Sequence, residues 1–348
     1  MKKFISLLTV FMFIYCSDSP DYIVVSPGVE DIQYPIIEGV QKVIDIVDAV
    51  SEQSLRDNLT VLQDFYTRHT NSDTVSETRG IGAARRWIFS QFENSIQENP
   101  SLIEVWYDAF EQQINSGPLK LHKNVIYEQR GTEYPDRIFL AGAHMDSRNG
   151  NNADSEGFAP GANDDGSGTA AILELARILS GYTFKSTIML VAFTGEEQGL
   201  HGSRHLAERF VAESVNIEGM IAVDMIGNSV GEMGNSDDSS ARVFSQEPAY
   251  SIHRLLAAYV KVQGETYTDD FTVRLIPSID RPGRGGDHIT FTQSGFASVR
   301  LTESIENYDH QHNTEDIADY INFPYFTKNV KILAAVLAGL ADAPPITQ

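Results

Sequence analysis

The sequence predicts an α/β fold in which helices cover both faces of one sheet, and three observations support this prediction. Short runs rich in apolar and β-branched residues alternate along the chain with longer runs whose apolar residues recur at helical spacing. Some of the short runs are apolar at nearly every position, which is typical of parallel strands buried on both faces. Turns that contain Gly, Pro or Asp separate the runs. This alternation of strands and helices is typical of α/β sheets.

The first elements of the main part of the chain are helical. Apolar residues recur at helical spacing from Leu55 to Phe65 and predict a helix over residues 50–66. A second helical pattern covers residues 82–92. Both patterns precede the strand-rich part of the sequence.

Strands and helices then alternate. Residues 124–129 and 137–143 are β-rich runs separated by a turn sequence, GTEYPD. Residues 169–179 have helical spacing and end at a Ser-Gly pair, and residues 186–193 read as a buried strand. The remaining predicted elements are strands at 220–225 and 297–301 and a helix at 325–340. The polar segment 229–248 is interpreted as a lid or rim.

Composition and charge exclude some classes of function. The chain has 348 residues, of which 42% are hydrophobic and 21% charged, as in globular proteins. Its formal net charge is −22, so it lacks the excess of Lys and Arg that neutralises phosphates, and we expect no nucleic-acid partner. A strongly acidic protein favours cationic ligands such as free amines.

The amino terminus has the pattern of an export signal. Lys2 and Lys3 precede an apolar run at 5–15 that is too short to span a bilayer comfortably. Residues 1–19 are therefore predicted to be a signal peptide or a lipoprotein signal acylated at Cys16, and both alternatives stay open. We expect an exported protein, secreted or periplasmic, whose only membrane contact would be a lipid anchor at Cys16.

The next segment is interpreted separately from the folded domain. Residues 20–50 are predicted to be a leader or pro-segment, with the main domain beginning at residue 51. Cys16 is the only cysteine, so no internal disulfide can form. Stability must then come from the core and from any bound metal.

Polar side chains of metal-binding type cluster at the ends of predicted strands. The carboxyl ends of parallel strands meet at one edge of a sheet, where ligands bind. Three predicted strands therefore deliver such residues to one edge. The motifs are AHMDS with His144 and Asp146, GANDDGSG with Asp164 and Asp165, FTGEEQGLHGS with Glu196 and Glu197, VDMIGN with Asp224, and DHQHNTED with His310 and His312.

Each motif alone is more often structural than functional, but their convergence favours a metal centre. An Asp inside the apolar sequence IAVDMIG is costly to bury unless it is paired or metal-bound. Imidazole and carboxylate groups are the ligands of catalytic zinc. Two ions held close together need a bridging carboxylate, because one carboxylate has two oxygens to share. The residue types are those that two zinc ions require.

Together these five motifs resemble the co-catalytic zinc aminopeptidases of the bacterial leucyl-aminopeptidase type. That family also includes glutaminyl cyclases and the transferrin-receptor ectodomain, and the resemblance covers roughly residues 51–340. It implies a mixed, mostly parallel sheet of about eight strands flanked by helices. It also implies that residues 51–348 form one zinc peptidase domain with two Zn²⁺ ions.

The resemblance implies a role for each motif residue. The bridging ligand would be Asp164, with His144 and Asp224 on one zinc and Glu197 and His312 on the other. Glu196 would be the catalytic general base, and Asp146 would be the catalytic partner that orients His144. Asp165 would support the loop, and His310 would lie at the rim.

One segment departs from the family pattern. Some members place a tyrosine that stabilises the tetrahedral intermediate before an Asp-His pair, here Asp287 and His288. This chain has Gly283 near that position, flanked by Arg281 and Arg284. We therefore assign no such tyrosine, and leave open whether an arginine replaces it or both are surface residues. Asp287 and His288 are expected to be structural.

The predicted function is hydrolysis of N-terminal peptide bonds in peptides or small proteins. Within the same family, carboxypeptidase, dipeptidase and glutaminyl cyclase activities are alternatives. From another class, the chain could be a non-catalytic zinc-binding ectodomain, although such relatives lose ligands or the base. The sequence leaves the oligomeric state open.

Overall fold

The computed structural model describes residues 40–96, 99–248 and 250–345. Eight strands form one sheet in the order β1-β2-β4-β3-β5-β8-β6-β7. The strands are β1 (Ile103–Gln113), β2 (Leu119–Gln129), β3 (Tyr134–His144), β4 (Ser186–Phe193), β5 (Ile217–Val223), β6 (Ser240–Phe244), β7 (Thr272–Ile276) and β8 (Ser298–Glu303).

Helices connect and cover these strands. They are α1 (Gln41–Asp48), α2 (Glu52–Asp64), α3 (Gly80–Asn94), α4 (Gly168–Leu179), α5 (His201–Glu213), α6 (Ile252–Tyr267), α7 (His288–Gln293) and α8 (Phe323–Asp342). In the part of the chain that the structure covers, no helix combines the length and apolar character needed to cross a membrane.

The sheet is mixed, with a parallel centre. Strands β4, β3, β5 and β8 run parallel to one another, whereas β2 pairs antiparallel with β1 and β4. At the other end, β6 is antiparallel to β8 and parallel to β7. The predicted fold class is confirmed. The carboxyl ends of β3, β4 and β5 consequently lie side by side at one edge.

Both faces of the sheet are buried, as the apolar strands predict. On one face α1, α2, α3, α4, α6 and α8 pack with the sheet into the main core, and on the other α5 and α7 enclose a second cluster. Every residue of β4 is buried. The central strands are therefore rigid supports for the residues that follow them.

Side-chain caps explain where several helices begin. The side chain of Ser51 accepts a hydrogen bond from the backbone N–H of Ser54 at the start of α2. Ser251 and Asn322 cap α6 and α8 in the same way. Such caps satisfy backbone donors that have no partner within the helix.

The outer strands were not predicted. Strand β1 carries polar residues at most of its exposed positions and β7 is only partly buried, so neither has a continuous apolar pattern. Strand β6 lies inside residues 229–248, which we interpreted as a lid or rim. Its backbone pairs with β7 and β8, and its side chains Ala241, Val243 and Phe244 are buried.

Helix α1 lies within the segment predicted to be a leader, yet it is part of the packed fold. Val43, Ile46 and Val47 are buried in the main core. Nζ of Lys42 lies 2.7 Å from a carboxylate oxygen of Asp342 at the end of α8. Residues 1–39, with the apolar run and Cys16, lie outside the described residues, so export, acylation and the removal of a leader stay predictions.

Candidate metal centre

The carboxyl ends of three central strands deliver the motif residues to one edge of the sheet. His144 is the last residue of β3, and Asp224 directly follows β5. Glu196 and Glu197 lie in the turn between β4 and α5. Asp164 lies in the irregular segment Ala162–Ser167, which leads into α4. Because parallel neighbours end together, the backbone alone brings these side chains close.

The carboxylate of Asp164 lies between two imidazoles. Its Oδ1 is 3.1 Å from Nε2 of His144, and its Oδ2 is 2.9 Å from Nε2 of His312. Burial by itself raises the pKa of Asp164, but the neighbouring imidazoles of His312 and His144 outweigh it and hold that pKa well below its usual range. One ionised carboxylate therefore serves both halves of the site.

Two further carboxylates lie near the imidazoles, one beside His144 and one beside His312. Oδ1 of Asp224 lies 3.9 Å from Nε2 of His144, and Oε2 of Glu197 lies 3.3 Å from Nε2 of His312. Among the described residues, two groups have ligand atoms close enough to hold one metal ion each: His144 with Asp165 and Asp224, and Asp164 with Glu197 and His312.

Unpaired polar atoms in the site show that these residues suit a metal. Nε2 of His144, Oδ1 of Asp224 and Oε1 of Glu197 are buried, and none makes a hydrogen bond within the described protein. Buried polar atoms without partners are costly, and a cation would satisfy all three. Mixed imidazole and carboxylate donors are those of catalytic zinc sites.

Asp165 has its oxygens occupied by the backbone. Its Oδ2 accepts a hydrogen bond from the N–H of His144, and its Oδ1 accepts from Gly168 and Met225. These bonds tie the ends of β3 and β5 to the start of α4. Asp165 is close enough to His144 and Asp224 to share a metal ion with them. However, both of its oxygens accept backbone hydrogen bonds, whereas the oxygens of Asp164 face the imidazoles.

Close packing makes glycine necessary at two positions beside these aspartates. Gly161 has a φ of +52°, and a Cβ there would lie 2.5 Å from Cβ of Ser147. A Cβ on Gly168 would lie 2.4 Å from the carbonyl oxygen of Val223. Only glycine lets the loop approach the strand ends this closely.

Asp146 is buried and supports the turn that carries the two glutamates. Its carboxylate accepts hydrogen bonds from the backbone N–H groups of Glu196 and Glu197, at 3.2 and 3.1 Å. Nδ1 of His144 lies 3.0 Å from the backbone carbonyl oxygen of Asp146 and 3.8 Å from its carboxylate. The hydrogen bond that orients the imidazole therefore goes to the main chain of Asp146, whereas its side chain positions the glutamates.

Glu196 faces an open cleft of about 350 Å³, which Glu197, Asp224 and His312 also line. Burial raises the pKa of the Glu196 carboxyl well above its usual range, and the negative charges of Asp224 and Asp287 add to this rise. A carboxylate with a raised pKa has a higher proton affinity than an exposed one, as a general base requires.

Two buried arginines hold the site and were not identified from the sequence. Arg68 donates hydrogen bonds to four backbone carbonyls, those of Leu62, Met145, Pro160 and Gly161. Arg300 lies between Asp224 and Asp280, with nitrogen–oxygen distances of 3.2 and 3.1 Å. No local sequence motif marks either residue, because their partners are distant in the chain.

The remaining predicted residues lie around the centre. His310 stacks on Tyr320, with ring centroids 3.8 Å apart, beside the site. His288 is buried and its Nε2 donates to the carbonyl oxygen of Ile279. Asp287 is also buried, and neither residue belongs to a metal-binding group among the described residues.

The sequence of this chain is similar to that of known proteins. The sequence profile of "Peptidase family M28" matches residues 124–337. A probable zinc metalloprotease of Pyrenophora tritici-repentis is 35% identical over 336 residues, covering 86% of this chain and 76% of that protein.

Solved structures share the fold at lower identity. The LapA aminopeptidase of Legionella pneumophila is similar with a TM-score of 0.70 at 21% identity, covering 89% of this chain and 76% of that one. The glutaminyl cyclase of Porphyromonas gingivalis is similar with a TM-score of 0.64 at 18% identity, covering 83% and 98%. At these identities the likeness concerns the fold alone.

Proposed function

Because this chain belongs to peptidase family M28, we propose that it is a zinc metallo-aminopeptidase that hydrolyses the N-terminal bond of peptides or small proteins. The observation that carries the proposal is the carboxylate of Asp164, which presents one oxygen to His144 and the other to His312. A shared carboxylate between two imidazoles is the arrangement that a pair of ions requires.

In this proposal, five residues hold two zinc ions. Asp164 is shared, while His144 and Asp224 serve one ion and Glu197 and His312 serve the other. When bound, zinc lowers the pKa of a water molecule toward neutrality and polarises the substrate carbonyl. The buried atoms of these residues that make no hydrogen bond within the described part of the chain support the assignment.

Glu196 acts as the general base. It accepts the proton of the attacking water and transfers it to the leaving amine, so that one carboxylate serves both halves of the reaction. Its position in the cleft and its raised pKa support this role. Asp146 keeps Glu196 in place through the hydrogen bond to its backbone N–H.

The free amine of the substrate distinguishes an aminopeptidase from its relatives. The strongly acidic chain favours a cationic peptide terminus. A panel of aminoacyl-nitroanilides, assayed beside their N-acetylated forms with and without chelator, tests the proposal. Metal analysis of the same protein measures zinc per chain.

We expect cleavage of the free-amine substrates alone, loss of that cleavage with chelator, and two zinc ions per chain. Protein that holds two zinc ions but cleaves none of the free-amine substrates would reject the aminopeptidase activity. Assays of N-blocked peptides, dipeptides and N-terminal glutaminyl peptides would then separate carboxypeptidase, dipeptidase and cyclase activities.

A further inference from the structure

The cleft beside Glu196 has a basic wall. Four arginines line it together with the carboxylates of the centre: Arg148, Arg281, Arg284 and Arg300. Such a concentration is unusual in a chain with a net charge of −22. An arginine that faces a cleft either balances a neighbouring acid or is free to bind a ligand.

Three of the four arginines balance neighbouring acids. The pairs are Arg148 with Glu197 at 2.8 Å, Arg281 with Asp280 at 2.9 Å and Arg300 with Asp224 at 3.2 Å. These arginines are therefore part of the structure that holds the metal ligands and the cleft wall.

Arg284 differs from these three. Within the described part of the chain, no carboxylate lies within ion-pair distance of its guanidinium. The guanidinium carbon lies 5.0 Å from the ring centroid of Tyr308, and Nη2 donates a hydrogen bond to Oε1 of Gln311. These contacts fix the orientation of Arg284 but leave most of its N–H donors unused.

Arg284 is also close to the reacting centre. The side-chain amide of Gln311 that accepts from Arg284 donates in turn to Oδ2 of Asp164, at 2.7 Å. Arg284 is thus separated from the bridging carboxylate by one side chain. A group bound by Arg284 would belong to a substrate whose scissile bond lies beside Glu196.

We propose that Arg284 binds a carboxylate of the substrate, so that the enzyme prefers peptides with a carboxylate near the scissile bond. This inference rests on the proposed peptidase function and adds a substrate class to it. Guanidinium binds carboxylate through two parallel hydrogen bonds. The carboxylate is either an acidic side chain or the carboxyl terminus of a dipeptide.

Matched ligand pairs distinguish these two sources. The first pair is Glu-Ala-amide and Gln-Ala-amide, which differ only in the charge of the first side chain. The second is Leu-Ala and Leu-Ala-amide, which differ only at the carboxyl terminus. Calorimetry measures their binding to zinc-loaded Glu196→Gln protein, so that no turnover is needed.

The same measurements are made on Glu196→Gln protein that also carries Arg284→Gln, Arg284→Lys or the control substitution Arg130→Gln. Arg130 is exposed and follows β2 at the opposite edge of the sheet. We expect the carboxylate member of one pair to bind about tenfold more tightly than its amide. Arg284→Gln should reduce that ratio to about twofold or less, Arg284→Lys should retain part of it, and Arg130→Gln should leave it unchanged.

The outcomes separate this inference from the proposed function. A preference in the first pair identifies a side-chain carboxylate, and one in the second identifies the carboxyl terminus. Equal binding within both pairs, or a ratio that Arg284→Gln does not change, would overturn the inference even if Leu-nitroanilide is cleaved. Conversely, a ratio that depends on Arg284 in an enzyme that cleaves no aminoacyl-nitroanilide would retain the carboxylate site and reject the aminopeptidase activity.

Discussion

Nη2 of Arg300 lies 3.2 Å from Oδ2 of Asp224, while Oδ1 of the same carboxylate is buried and makes no hydrogen bond with any residue that the structure describes. The arginine therefore fixes the carboxylate by one oxygen and leaves the other directed at the metal centre. Arg300 is itself fully buried and is held from the other side by Asp280.

Replacing Arg300 should weaken metal binding. The ammonium group of lysine is compact and lacks the planar fork of donors of a guanidinium, so Arg300→Lys cannot contact Asp224 and Asp280 at once. We therefore expect zinc affinity to fall about 10- to 100-fold. Competition with a chromophoric chelator measures this, and Arg130→Lys is the exposed control. Wild-type affinity in folded Arg300→Lys protein would show that Asp224 needs no such support.

Removing the carboxylate of Glu196 should separate catalysis from metal binding. Glu196→Gln keeps the shape of the side chain but cannot accept a proton, so kcat should fall about 10²- to 10⁴-fold. Zinc content should stay that of the wild type, whereas Glu197→Gln, the matched neighbour, should lose zinc. Unchanged kcat in Glu196→Gln would assign the base elsewhere.

Arg68 should stabilise the loops that carry the proposed metal ligands. A lysine at this position has too few donors for the four carbonyls that Arg68 binds, and each buried carbonyl left unpaired costs about 1–3 kcal/mol. We expect Arg68→Lys to lower the free energy of unfolding by at least about 1 kcal/mol, measured by urea denaturation with zinc bound. A change no larger than that of Arg130→Lys would contradict this role.

His288 should make stability depend on pH. Burial lowers the pKa of His288 to about 4, against about 6.5 in an unfolded chain. Below pH 6.5 the unfolded chain therefore binds a proton that the folded chain does not. The stability contribution of neutral His288 is complete above pH 6.5 and declines, by up to about 1.4 kcal/mol per pH unit, as the pH falls toward 4.

The variant His288→Gln isolates this effect. Glutamine does not titrate, so the stability advantage of the wild type over the variant should decrease between pH 7 and pH 5. Urea unfolding of the chelator-treated proteins measures this difference without a contribution from the metal. An advantage that stays constant with pH would mean that His288 keeps an ordinary pKa.

Helix α1 should be necessary for full stability. A chain that begins at residue 51 loses four buried side chains, Val43, Ile46, Val47 and Val50, and the ion pair of Lys42 with Asp342. We expect it to be less stable than a chain beginning at residue 40 by about 2 kcal/mol or more. Equal urea midpoints for the two chains would instead support the predicted boundary of the leader at residue 50.

Much of the architecture could be predicted from local pattern. The buried strand at 186–193 has the predicted bounds, and the helix predicted at 169–179 begins one residue earlier, at Gly168. Continuous apolar runs identify central strands because both of their faces are covered. Strands β1 and β7 have no such signal, since their positions at the sheet edges leave polar residues exposed.

In the candidate site too, some residues could be identified from the local sequence and others could not. His144, Asp164 and Asp224 could be identified because each stands at the end of a recognisable strand or in a glycine-rich loop. Gln311 and Arg284 could not be assigned contacts, because their partners lie in other loops and depend on how those loops fold.

The sequence by itself determined the strand–helix alternation, the family resemblance and the group of metal-binding residue types at strand ends. These are local or ordered features of the chain, set by hydrophobic period and by motif spacing. Only the tertiary structure decided which oxygen of which aspartate faces an imidazole, and which arginine in the cleft has no carboxylate beside it among the residues described. Those relationships join residues far apart in the chain, and distance, burial and hydrogen bonding set them after the sheet has formed.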